Sequence, residues 1–124
     1  MTTLHANSPR DALARLETLV LMAGMDLPLA AIREQIASAV DVIVQQTRFA
    51  CGARRVTSIT ELTGMEGGRI QLQELFRFER RSADSAADAS GGHFTGCDAV
   101  PGFYDELRRQ GVALDLHLFD RRRP

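Results

Sequence analysis

The residues of this sequence that could carry chemistry are few, and their spacing limits what they could do. His5 sits in a short polar run, Thr3-Leu4-His5-Ala6-Asn7-Ser8. A histidine donates a hydrogen bond near neutral pH, so it can sense or polarise a terminal phosphate. The competing reading is an exposed histidine in a frayed segment without a ligand. Glu61 and Glu66 are close enough in sequence to suggest a carboxylate pair. They fall on a strand and in a turn, with no base or metal ligand beside them, so surface roles are expected. His93 and His117 stand alone, and with His5 they form no metal spacing of the H-x-x-x-H kind. Cys51 and Cys97 form neither a metal spacing nor C-x-x-C, and read as inert thiols in a reducing compartment.

The basic residues are distinctive. All fifteen are arginine, and lysine is absent. Any reaction that requires a lysine is therefore excluded. The pairs Arg54-Arg55, Arg80-Arg81 and Arg108-Arg109 are spread along the chain without interleaved aromatics, which argues against nucleic acid as a partner. The formal net charge of −1 gives no global pull toward polyanions.

The 124 residues suit one small domain with a modest core. Residues 1–5 read as the end of a strand running into a loop. Ser8-Pro9-Arg10-Asp11 then starts a helix: Ser8 as N-cap, Pro9 at the first position, Asp11 at the positive end. Leu13, Leu16, Val20 and Ala23 follow at helical spacing, and Gly24 stops it. The late turns, 19–25, are apolar nearly all round and are expected to be buried on several sides. A second helix is expected from Pro28 to about Arg48, with Leu29, Ile32, Ile36, Val40 and Ile43 in one stripe.

After Gly52 the period changes. Residues 54–63 and 69–79 read as a β-hairpin around a longer Gly64–Gly68 loop, with a bulge near Gln73-Glu74. Residues 80–92 read as a flexible surface loop and His93-Phe94-Thr95 as a short strand. Residues 101–110 read as a helix with Phe103 and Leu107 facing the body. Arg121-Arg122-Arg123-Pro124 reads as a solvated tail. No apolar run approaches 18 residues, and no basic leader with an apolar core opens the chain, so a cytoplasmic protein is expected.

Several blocks in order resemble a known family. Residues 3–17, beginning Thr3-Leu4-His5-Ala6-Asn7-Ser8-Pro9-Arg10-Asp11, are similar to the histidine box of the CpaF/TadA-type pilus-assembly ATPases, within the type II/IV secretion ATPases. So are Leu27 to Asp41, Arg54 to Glu61, the Gly64-Met65-Glu66-Gly67 turn, and Pro101 to Phe119. The serine-rich stretch 82–91 is the main one without a clear match.

The resemblance implies an α/β fold: the C-terminal portion of a RecA-like P-loop NTPase domain, with two main helices, a β-hairpin and a short C-terminal helix. It divides the chain into a partial ATPase domain over 1–79, a loop over 80–92 and a tail over 93–124. It implies hexameric assembly, ATP and magnesium as cofactors of intact members, and His5 as the histidine near the nucleotide. It implies homologous ATPase subunits and inner-membrane platform proteins as partners, with placement at the inner membrane. The family binds ATP through G-x-x-x-x-G-K-[ST], where backbone N–H groups and a lysine hold the phosphates. No such loop occurs here, so the chain reads as a truncated member without catalysis, or any cofactor, of its own. Two alternatives stay open: a non-catalytic module docking on a full-length ATPase or on the membrane platform, and a gene remnant. A small unrelated α+β binding domain is the reading outside the family.

Overall fold

The computed structural model describes residues 1–24, 26–80 and 91–122. The expected loop at 80–92 therefore lies almost wholly outside the described residues, as do Met25, Arg123 and Pro124. Residues 1–5 form no strand, contrary to expectation.

Helix α1 spans Pro9–Met22 and starts as the sequence requires. Ser8 is extended, and its Oγ accepts from the Asp11 N–H at 3.0 Å. This satisfies one of the free donors of the first turn. Past its end, Gly24 takes φ 78°, a left-handed conformation that costs glycine little. Helix α2 spans only Leu29–Ala39. Val40 is already extended, at φ −107° and ψ 122°, and Val42–Arg48 form strand β1. The expected helix to Arg48 is thus corrected. The β-branched run Val42-Ile43-Val44 disfavours helix, and pairing with a neighbouring strand decides the matter.

Strands β2 (Arg54–Glu66), β3 (Arg69–Arg80) and β4 (Gly92–Gly96) complete an antiparallel sheet in the order β1-β2-β3-β4. The β2–β3 turn is tighter than expected. Glu66 pairs with Arg69, and only Gly67 and Gly68 lie between, at φ 58° and 77°. Two positive φ values give the turn whose twist matches that of the strands. The expected bulge is found one residue on: the pairing jumps from Phe76 to Glu74, leaving Leu75 extra.

The two faces of the sheet are covered differently. Leu62 and Ile70 meet Leu13 of α1 and Ile32 and Ile36 of α2 in the main core. Cross-strand partners share a face, so Val44, Ile59, Phe76 and Gly96 lie on the other side. There the C-terminal segment packs. It holds helix α3 (Phe103–Arg109) and a 3-10 helix over Leu116–Phe119. Phe119 lies 5.3 Å from Phe76 and 5.1 Å from Tyr104, ring centre to ring centre. Tyr104 makes the contact expected of Phe103, which is exposed. The end of α1 is also corrected: Leu19, Leu21 and Met22 are exposed, Met22 at 77%.

Candidate functional site

Among the described residues, polar side chains gather at three main places. The first surrounds His5, which is exposed. Its neighbour Ala6 is fixed by its carbonyl, which accepts from Gln45 Nε2 at 3.0 Å. The Asn7 N–H donates to Asp11 Oδ2 at 2.9 Å, and Arg15 Nε donates to the same oxygen at 3.0 Å. The Asn7 N–H, then the Arg15 guanidinium, hold the Asp11 carboxyl below its ordinary range. The segment is thus held immediately after the histidine, at Ala6 and Asn7, with the ring left open to solvent.

The second is a cleft of about 310 Å³ between α1, α2 and the β2–β3 turn. Arg33 ties its three walls together. Its Nε bonds Glu17 Oε1 at 2.9 Å, and its terminal nitrogen donates to the Gly68 carbonyl at 3.2 Å. Arg10 likewise donates to the Ile70 carbonyl at 2.8 Å. Glu17 therefore serves an internal tie between the two helices. His5 is not part of this cleft.

The third lies where the chain end wraps the β4 edge. Glu79 accepts from Arg121 at 2.6 Å, with Arg77 at 3.4 Å and His93 at 3.7 Å. Thr95 Oγ1 accepts from the Arg122 N–H, and the Arg122 carbonyl accepts from His93 Nε2 at 2.8 Å. Asp98, at φ 58°, accepts from the Arg121 N–H. Arg121 and Arg122 are thus anchored, not a free tail. His117 bonds Asp120 at 3.0 Å. That bond, then the charges of Asp120 and Asp115, raise its pKa.

Glu61 departs most from expectation. It is 6% exposed, and both its carboxylate oxygens accept from the Gly102 N–H, at 2.9 and 3.2 Å. It anchors the start of α3 on the sheet, so the surface role is corrected. Replacing Glu61 by alanine leaves that N–H without its acceptor, at a cost of about 1–3 kcal/mol. Urea unfolding measures this, and an unchanged midpoint would refute the anchor. Glu66 closes β2 and is exposed, so no carboxylate pair exists. Cys97 donates to Glu74 at 3.5 Å, and burial, followed by the Glu74 charge, pushes its thiol pKa up. A thiol held protonated is a poor nucleophile.

The model of the type II/IV secretion system proteins matches residues 1–103. The chain belongs to the type II/IV secretion system protein family. Two conjugal transfer proteins of Mycobacterium tuberculosis, from strains CDC 1551 / Oshkosh and ATCC 25618 / H37Rv, are each 38% identical to it over 85 residues. The match covers 68% of this chain and 23% of either relative, so the chain spans about a quarter of their length. Among the described residues of this family member, no group of three or more histidine, cysteine or acidic side chains could hold a metal ion. No described helix is long and apolar enough to cross a membrane.

The ties that organise the site were not readable in advance. Arg33 is 16 residues from Glu17 and 35 from Gly68, and Glu61 is 41 from Gly102. No local pattern marks such partners.

Proposed function

We propose that this chain is a C-terminal portion of a RecA-like secretion ATPase of the CpaF/TadA type, one that works in a cytoplasmic hexamer against an inner-membrane platform. In this reading, the intact enzyme couples ATP hydrolysis to pilus assembly or to transfer of a secreted substrate. The present residues brace its nucleotide site and do not hold the phosphates. The observation that carries the reading is a family match over residues 1–103 in a sequence without lysine. His5 would face the nucleotide from this side. The described residues do not themselves fit ATP and magnesium: a single exposed imidazole supplies neither the backbone cradle nor the cation that phosphates need. No reaction step is therefore assigned to them.

The test is phosphate release by the purified chain with Mg-ATP. Background rates are expected, and turnover that follows the protein through purification would overturn the assignment.

A second reading is a non-catalytic docking module. The exposed Leu19, Leu21 and Met22 at the end of α1 favour it, because grouped apolar side chains mark contact surfaces. Pull-down with a full-length homologous ATPase distinguishes it, since recovery of the chain alone counts against docking.

A further inference from the structure

The β1–β2 hairpin gathers charge of one sign. Residues 42–60 hold three arginines and no aspartate or glutamate. Arg48 and Arg54 are direct cross-strand partners on one face, and Arg55 pairs with Thr47 on the other. Like charges placed opposite each other destabilise a strand pair. Yet Arg48, Arg54 and Arg55 are exposed and have no ion-pair partner among the described residues. Arg80 joins them, its guanidinium 4.9 Å above the ring of Phe49.

The hairpin tip is also tied by backbone bonds and by packing on the sheet. The Phe49 N–H bonds the Ala53 carbonyl at 2.8 Å, Gly52 turns the chain at φ 91°, and buried Phe49 packs on Phe78 at 5.9 Å. The net charge of −1 thus hides a group of four arginines at one end of the sheet.

We infer that this hairpin docks on an anionic lipid surface. The guanidiniums point to both faces of the sheet and do not converge, so they suit an extended array of phosphates and not a single one. The tip, Ala50-Cys51-Gly52, is small and uncharged, and can approach a headgroup layer. A tip of this size falls far short of the roughly 800 Å² per partner that a stable protein interface buries. Attraction to a charged bilayer requires only cations near its plane, at about 1 kcal/mol each, or roughly fivefold in partitioning. Nucleic acid fits less well, because the aromatic ring at the tip is buried and offers no stacking surface. The inference rests on the hairpin's own charge and does not depend on the ATPase reading.

The experiment is co-sedimentation of the full chain with vesicles. Equal parts of phosphatidylglycerol and phosphatidylcholine are compared with phosphatidylcholine alone. Binding is expected to the anionic vesicles only, and to weaken as salt is raised. R54A/R55A is expected to lower partitioning roughly 25-fold. R108A/R109A removes the same charge from α3 and is expected to bind as the parent does. Circular dichroism confirms that both variants fold. The inference is overturned by equal binding to neutral vesicles, by an unchanged R54A/R55A, or by equal losses in both variants. It is also overturned by binding to a single-stranded oligonucleotide with none to vesicles.

Discussion

Ile32→Ala is expected to lower the stability of the chain by about 3 kcal/mol, among the largest effects available to one substitution. Ile32 is 1% exposed and sits where α1, α2 and the sheet meet, against Leu13, Ile36, Leu62 and Ile70. Truncation loses the transfer energy of the removed methyl groups and leaves a cavity. A small domain has only about 5–15 kcal/mol in total, so the variant approaches the limit of folding. The measurement is the urea midpoint at constant slope, which separates stability from a change in the unfolded state. Leu19→Ala is the matched control. Leu19 is 53% exposed, and its truncation is expected to change stability by no more than about 0.5 kcal/mol. If both substitutions cost the same, the core is wrongly placed.

Gly96→Ala is expected to act locally and strongly. A Cβ at Gly96 would land on the backbone carbonyl of Phe119, which cannot move without lifting the 3-10 helix. Overpacking of this kind costs about 1–3 kcal/mol, and the upper end is expected because the obstacle is backbone. The readout is unusually clean. The chain has one tyrosine and no tryptophan, and Tyr104 packs edge-on against Phe119. Near-ultraviolet circular dichroism of that tyrosine should collapse while the far-ultraviolet spectrum changes little. A variant with the parent's tyrosine signal and midpoint would show that the segment does not rest on β4.

The sequence was most legible where a local rule decides the outcome. Ser8, Pro9 and Gly24 mark α1 because caps and stops act within a few residues. The β2–β3 hairpin was legible for the same reason. It misled where two periods coincide. Ile36, Val40 and Ile43 continue a helical stripe, yet Ile43, Gln45 and Thr47 also alternate as one side of a strand. Pairing with β2 settles that conflict, because Ile43 lies opposite Thr60 on the next strand. The apolar end of α1 read as buried because composition does not say which neighbours are present. His5 was singled out by resemblance alone, and it is exposed and outside the cleft between the helices and the β2–β3 turn. Glu61 and Arg33 were not visible as anchors, because their partners are set by the fold.

The strand order has a consequence for how the molecule forms. Every strand pairs with its neighbour in sequence, so no segment must cross another before the sheet can grow. The two-glycine turn can bring β2 and β3 together first, on the microsecond scale of hairpins. Strands β1 and β4 can then add from either side. Short-range pairing of this kind keeps the search brief and favours rapid folding. It also makes each turn a point of alignment. A residue lost from Gly67-Gly68 would shift β3 by one place and send its core side chains to the wrong face.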